Sequence, residues 1–345
     1  MSFKGQTEYD HKGESPRSGI LINNLGTPDE PTTAALRRYL REFLSDPRVV
    51  EIPRVIWFMI LYLFILTFRP AKSAKLYQQV WTDAGSPLMD ITQRQANALQ
   101  LKLDEVYGKD KVPVEIGMRY GNPSVAGALQ KLTHKNVRNI IVLPLYPQYC
   151  GATVGSTFDA VAKELMRYRW VPELRYISGY HQNTRYIDAI AHSIEKHIAE
   201  HGMPDRFIVS YHGTPEFYLK KGDPYFCFCS QTTRLVREKT GLNEERVLQT
   251  FQSRFGKAQW LQPYTDETLK GLPAQGVKNI VVICPGFSAD CLETIEEIES
   301  ENKEYFMQAG GDKFHYIPCL NDNPEHIDMM LDIVQQHLPR SDKQR

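Results

Sequence analysis

Net charge is the first thing this chain lacks. Lys plus Arg and Asp plus Glu are both 41 in 345 residues, and without a basic excess nucleic acid is excluded as the main partner, because phosphate binding draws on Lys- and Arg-rich surface. Neither G-x-G-x-x-G nor a Walker A sequence occurs, so a dinucleotide or ATP site is not expected. The polar stretch from Met1 to Ser18 has no apolar segment of the kind that makes a secretory signal, which predicts a cytoplasmic, reducing setting. Cysteine is scarce. The six residues Cys150, Cys227, Cys229, Cys284, Cys291 and Cys319 form no C-x-x-C pair, so free thiols are expected rather than a disulfide frame, a zinc site or a cluster. Long apolar runs are missing too. The one markedly apolar run, Val55 to Phe68, would reach about 21 Å as a helix, against a hydrocarbon core of about 30 Å.

What is present is an internal duplication. Asn23-Asn24-Leu25-Gly26-Thr27-Pro28 and Ser210-Tyr211-His212-Gly213-Thr214-Pro215 each follow a short apolar run, Ile20 to Ile22 and Phe207 to Val209. Each run reads as a buried strand, and Gly-Thr-Pro turns the chain where that strand meets its helix. A second pair, Val137 to Val142 and Val277 to Val282, carries β-branched runs that close on Pro144 and Pro285, as buried parallel strands do. The two pairs are offset by about 187 and about 140 residues, so the first half holds about 47 extra residues between its matched strands. The copies differ at one decisive position. Leu25 stands where the second half has His212, a group able to ligate metal or move a proton near neutral pH.

Strand and helix alternate through the rest of the chain, which predicts an α/β protein of two similar domains, each a parallel sheet flanked by helices. Facing sheets of this kind would leave a cleft at the carboxyl ends of their strands, where open α/β folds bind ligands. The expected domains are 19–170, with the insertion at about 45–85 and a returning C-terminal helix at 325–340, and 171–324. The apolar run Val55 to Phe68 lies inside that insertion and leaves two readings. It is either a buried core helix or a lip that dips into a bilayer and offers an apolar wall to a flat ligand; its place in an insertion favours the lip.

A second constellation begins at Asp290 and follows the expected strand Asn279 to Ile283. Glu293, Glu297 and Glu301 stand four apart, and each step drifts only about 40° around an α-helix, so the three form one stripe. Leu292, Ile295 and Ile298 mark the buried side, while Glu296, Glu299 and Glu304 fit a solvated face. A row of like charges costs helix stability. A hard or borderline cation, or a flow of protons, would give the row a purpose.

Five segments in order, PLYPQY (Pro144 to Tyr149), SYHGTP (Ser210 to Pro215), KKGDPY (Lys220 to Tyr225), QSRFGKAQWLQPYTDETL (Gln252 to Leu269) and PGFSADCLETIEEI (Pro285 to Ile298), resemble ferrochelatases, those of proteobacteria in particular. The resemblance covers roughly Gly19 to Leu338. It implies two Rossmann-like domains and a lyase that inserts Fe²⁺ into protoporphyrin IX, forming protohaem with release of two protons. His212 and Glu293 would then be the catalytic pair, as metal ligand or proton acceptor, on opposite sides of the macrocycle. Asp290, Glu297 and Glu301 would continue a proton or metal path outward. Leu25, Arg119, Tyr120, Tyr146 and Trp260 match positions that contact or wall the porphyrin; Leu25 stands where many relatives have methionine, and Cys291 where some have histidine.

No tightly bound cofactor is implied, Fe²⁺ being a substrate. Some members hold a [2Fe–2S] cluster through a C-terminal extension, for which this sequence has no counterpart, so no cluster is expected. Membrane contact is expected through Val55 to Phe68, with the protein peripheral on the inner face of the cytoplasmic membrane. Other readings stay open: a chelatase for another metal or porphyrin, such as a coproporphyrin ferrochelatase or a cobaltochelatase, and a non-catalytic tetrapyrrole or metal carrier.

Overall fold

Eight strands, all parallel, form two four-stranded sheets in a computed structural model that describes residues 3–5 and 17–338. Most of the polar stretch before Ser18, and the last two residues of the helix expected at 325–340, lie outside the described residues. The first sheet has the order β2-β1-β3-β4, with β1 at Arg17–Asn23, β2 at Val114–Ile116, β3 at Val137–Pro144 and β4 at Glu173–Tyr176. The second has the order β6-β5-β7-β8, with β5 at Arg206–His212, β6 at Val247–Gln252, β7 at Asn279–Ile283 and β8 at Lys313–Ile317. One order is the other renumbered. Both matched sequence pairs fall on corresponding strands, β1 with β5 and β3 with β7. The central strands are buried on both faces, so their runs read as continuous β-branched segments rather than alternating ones.

The chain divides into two compact units. One comprises the residues through Leu145, Gly151–Ser178 and the chain from Ile327 on; the other comprises Tyr146–Cys150 and Gly179–His326. The first unit therefore runs past residue 170, because β4 pairs in register with β3, Asn139 opposite Glu173 and Val142 opposite Tyr176. Tyr146, expected with the first half, groups with the second.

Among the described residues three stretches are π-helical: Leu61–Ile65, Gly151–Gly155 and Glu293–Asn302. The last two occupy the same place in each half, after β3 and after β7. The acidic segment expected as an α-helix is thus a π-helix for ten residues before it becomes α-helical at Lys303–Gln308. Its i→i+5 bonding turns the chain less per residue than an α-helix does, a geometry concentrated at functional sites.

The apolar run is neither short nor buried. It belongs to a helix that continues through Arg69 and Pro70 to Val80, 27 residues from Arg54, or about 40 Å at 1.5 Å per residue. By length and composition alone this helix could cross a bilayer. Pro70 has no N–H for the Leu66 carbonyl one turn back, and Arg37 Nε donates to that oxygen instead at 3.0 Å. Only a narrow stripe faces the protein. Trp57, Leu61 and Leu66 join Tyr39, Leu40, Leu44, Val50 and Tyr120 in one apolar cluster, with Leu25 packed against it. Trp57 Nε1 donates to the Leu44 carbonyl at 2.6 Å. Val55, Met59, Leu63, Phe64 and Phe68 face outward, Val55 75% and Phe68 71% exposed.

Candidate active site

His212 is the last residue of β5, which runs past the apolar segment Phe207 to Val209, and pairs with Gln252 at the end of β6. Gly213 follows, and its N–H donates to the Gln252 carbonyl at 2.8 Å. A Cβ on Gly213 would stand 2.9 Å from that oxygen and 3.2 Å from the Trp260 ring, so the turn admits only glycine. The first half repeats the device. A Cβ on Gly26, whose φ is +103°, would lie 1.8 Å from the Tyr120 carbonyl oxygen. The repeated Gly of Gly-Thr-Pro therefore marks close backbone approach as well as a turn.

The imidazole of His212 sits within 2.7 Å of the Gly213 carbonyl through Nδ1. A carbonyl can only accept, so Nδ1 carries the proton and, in the neutral ring, Nε2 keeps its lone pair for a metal or a proton. Tyr225 donates its hydroxyl to the His212 carbonyl at 2.9 Å, holding the backbone from the other side. Trp260 and Phe287 lie with ring centroids 6.5 Å from the imidazole. Trp260 is buried, its indole N–H on the Phe255 carbonyl at 2.9 Å, and so backs the histidine rather than standing open as a platform.

Gln252 ties this strand end to the acidic helix. Its Oε1 accepts from Ser210 Oγ at 2.8 Å, which leaves Nε2 to donate to the Glu293 carbonyl at 2.8 Å and toward Glu297 at 3.4 Å. Ser253 adopts a left-handed backbone, φ +66°, uncommon for a residue other than glycine. That conformation aims both its N–H, at 2.7 Å, and its hydroxyl at the Glu297 carboxylate. Strain of this kind gathers where structure serves chemistry. Burial drives the Glu297 pKa up to about 7, and the nearby Glu293 carboxylate adds to the rise against the opposing hydrogen bonds from Ser253 and Gln252. At neutral pH such a group both holds and releases a proton.

The stripe is not uniform. Glu293 opens the π-helix half-buried, Glu297 is the protonatable member, and Glu301 is exposed, accepting from the Tyr305 hydroxyl at 2.6 Å. Glu299 and Glu304 are exposed and Glu296 is half-buried. Asp290, expected on a proton or metal path, is instead the hub of a buried frame. Its Oδ1 accepts from Thr294 at 3.0 Å and Tyr316 at 2.6 Å, and its Oδ2 from Asn321 Nδ2 at 2.7 Å. With both oxygens occupied, the carboxylate anchors the start of the helix.

In the first unit, Arg119 and Tyr120 were expected on a porphyrin wall, but both turn inward to Asp46. Tyr120 is 0% exposed, donating its hydroxyl to Asp46 at 2.9 Å, and Arg119 is paired to the same carboxylate while its Nε reaches the Ser156 carbonyl at 3.0 Å. Burial opposes ionisation of Asp46, yet the hydrogen bonds from Ser156, Arg48 N–H and Tyr120, with the Arg119 charge, hold its carboxyl below the ordinary range. Tyr120 is correspondingly pushed up by burial. Leu25 is half-buried above this network on the apolar cluster, and Tyr146 is half-buried in the second unit. Asp46, Ser156 and Ser253 escaped sequence reasoning. Gln252 and Ser253 open one of the recognised segments; Asp46, in Ser-Asp-Pro, has no comparable signal.

Five of the six cysteines are buried and Cys227 is exposed; all six are free. Burial raises Cys229, Cys284, Cys291 and Cys319 well above the ordinary thiol range, which makes them poor thiolate ligands.

The ferrochelatase family model matches residues 17–338. A ferrochelatase of Pseudoalteromonas atlantica is 55% identical over 338 residues, covering 98% of this chain and 93% of its own length. One of Hydrogenovibrio crunogenus is 56% identical, covering 97% and 89%, and ferrochelatase 2 of Shewanella oneidensis is 56% identical, covering 93% and 97%. Among solved structures, SirB from Bacillus subtilis with Fe³⁺ aligns with a TM-score of 0.55 at 13% identity, covering 93% of this chain and 95% of that one, a likeness of fold. The chain belongs to the ferrochelatase family.

Proposed function

We propose that this protein is a lyase that inserts Fe²⁺ into protoporphyrin IX to form protohaem, and that its second unit supplies the proton-handling groups. The observation that carries the reading is His212 at the carboxyl end of β5, its Nδ1 proton fixed on the Gly213 carbonyl and its Nε2 available, joined through Gln252 to a helix bearing a glutamate that titrates near pH 7. Metal insertion must remove two pyrrole N–H protons, and a base poised near the working pH does this best. In this reading His212 Nε2 takes a pyrrole proton, Glu293 assists at the head of the helix, and Glu297 passes protons toward exposed Glu301. Fe²⁺ enters as a substrate, with no resident cofactor needed. A site that fits a bent macrocycle better than a flat one lowers the barrier by differential binding.

Membrane contact through the outward face of the helix Arg54–Val80 belongs to the same proposal. Tyr62, Leu66 and Thr67 of this helix line a groove of about 510 Å³ together with Ala34, Arg37, Arg38 and Arg41. Arginines beside an outward apolar face suit an anionic bilayer surface, and the cytoplasmic leaflet carries that charge.

Anaerobic mixing of the protein with excess Fe²⁺ and protoporphyrin IX tests the activity. Many turnovers of haem per chain are expected, with His212→Ala folded but nearly inactive. A single stoichiometric binding event would make the protein a carrier, and faster turnover of a more carboxylated porphyrin or of Co²⁺ would reassign its substrate.

A further inference from the structure

Among the described residues, one group of three potential ligand side chains lies within reach of a single ion, and it is not at His212. His197 and His201 stand four apart on the helix Thr184–His201, and His315 is the middle residue of β8. Their ring centroids are 4.7 Å apart for His197 and His201, 5.1 Å for His197 and His315, and 5.0 Å for His201 and His315. One nitrogen from each ring lies within 4.8 Å of the others. Nitrogens sharing a tetrahedral ion at about 2.1 Å stand about 3.4 Å apart, so modest ring rotation closes the set. His201 is exposed and His315 half-buried, while His197 is buried and fixes one corner.

We propose that these three imidazoles form a second metal site, for a borderline divalent ion of the zinc class. Helical i, i+4 histidines put two ligands on one face, and a third from a neighbouring strand leaves one tetrahedral position for water. Imidazole selects zinc, copper or nickel over magnesium or calcium. The charge setting is mixed. Carbonyls at the C-terminus of the helix favour a cation there, Glu200 lies 3.9 Å from His201 Nε2, and Lys303 and Lys313 oppose from the side of His315. Burial and the neighbouring rings hold His197 and His315 below the ordinary imidazole range, which keeps their lone pairs available at neutral pH.

This site is separate from the chelatase centre. His201 ends the helix that leads into the start of β5 at Arg206, and His212 ends that same strand, so the strand's length of about 20 Å lies between them.

Calorimetric titration with Zn²⁺ tests the proposal in a His212→Ala background, where the chelatase centre has lost its imidazole. One equivalent is expected to bind, at least tenfold more weakly after either His201→Ala or His315→Asn is added. In the otherwise natural protein, His201→Ala should leave haem-forming turnover unchanged, and Zn²⁺ should shift the ring resonances of His197, His201 and His315 together in NMR spectra, a readout independent of any variant's folding. Absence of Zn²⁺ binding in the His212→Ala protein, binding indifferent to both substitutions, or loss of turnover in His201→Ala would each overturn it.

Discussion

Glu297→Gln separates proton handling from mere structure, because it should make the protein a worse enzyme and, at alkaline pH, a more stable one. The carboxyl sits half-buried against Ser253 and Gln252 with its pKa up at about 7 against an ordinary 4.5. The folded state therefore binds the proton more tightly than the unfolded chain does. The stability this gives is fully present below about pH 4.5 and is lost as pH rises through about 7. At 1.36 kcal/mol per pH unit, the interval corresponds to about 3 kcal/mol as an upper bound. Glutamine imitates the protonated acid, accepting from the Ser253 N–H without ionising. Wild type and variant should melt close together near pH 5, where most of this stability remains, and the variant should melt higher at pH 8.

Turnover should move the opposite way. A group that must pass a proton contributes on the order of 10²-fold or more, and glutamine passes none, so steady-state haem formation at pH 7.5 should fall by about that factor with little change in KM for the porphyrin. Equal turnover in the two proteins would remove Glu297 from the proton path. A melting difference that is the same at pH 5 and pH 8 would show that the carboxyl is not protonated in the folded protein.

Glu293→Gln should reduce turnover severely and, by removing a neighbouring negative charge, lower the Glu297 pKa, moving the corresponding limb of the pH–rate profile to lower pH; Glu299→Gln, on the exposed face, should change neither. On the apolar helix, Leu63→Asp with Phe64→Asp should lower binding to anionic liposomes and raise the KM for protoporphyrin with little change in melting, whereas Leu61→Asp, at a position 0% exposed, should cost several kcal/mol through an unpaired buried charge. If the outward pair destabilises as much as Leu61→Asp, the face is not free. Arg119→Ala should destabilise the first unit by about 3–5 kcal/mol by leaving buried Asp46 without its cation, visible as a lower melting temperature; an unchanged melt with lost porphyrin binding would return Arg119 to a substrate wall.

Much of the fold was legible because buried parallel strands write themselves as β-branched runs, and the strand at Asn279–Ile283 has the bounds its sequence suggests. The duplication was legible for a geometric reason: Gly26 and Gly213 each lie where a backbone carbonyl leaves no room for a Cβ. The π-helical bonding of Glu293–Asn302 was not legible, since side-chain spacing over ten residues does not distinguish i→i+4 from i→i+5 bonding. Burial of Tyr120 was hidden for a related reason. A tyrosine beside an arginine suits a ligand wall or an internal network equally, and the choice is made by Asp46, more than seventy residues away in sequence. The helix was read as short because its apolar run stops at Phe68 and Pro70 follows two residues on, yet the Arg37 guanidinium caps the carbonyl that Pro70 leaves open.

The two halves share a topology and have divided the chemistry. Each places a Gly-Thr-Pro turn after its first strand, sets it against the end of the second strand or the loop after it, and runs a π-helical turn after its third. In the first half the residue before that glycine is Leu25, packed against the buried apolar cluster that holds Trp57 and Leu61; the buried ion pair of that half, Arg119 with Asp46, is closed in on itself. In the second half the same position is His212, and the loop after β6 bends Ser253 into a strained conformation to serve a protonatable glutamate. Duplicated strands fix where a side chain can be presented, at the carboxyl end of a parallel sheet, and substitution at those few positions then decides its use.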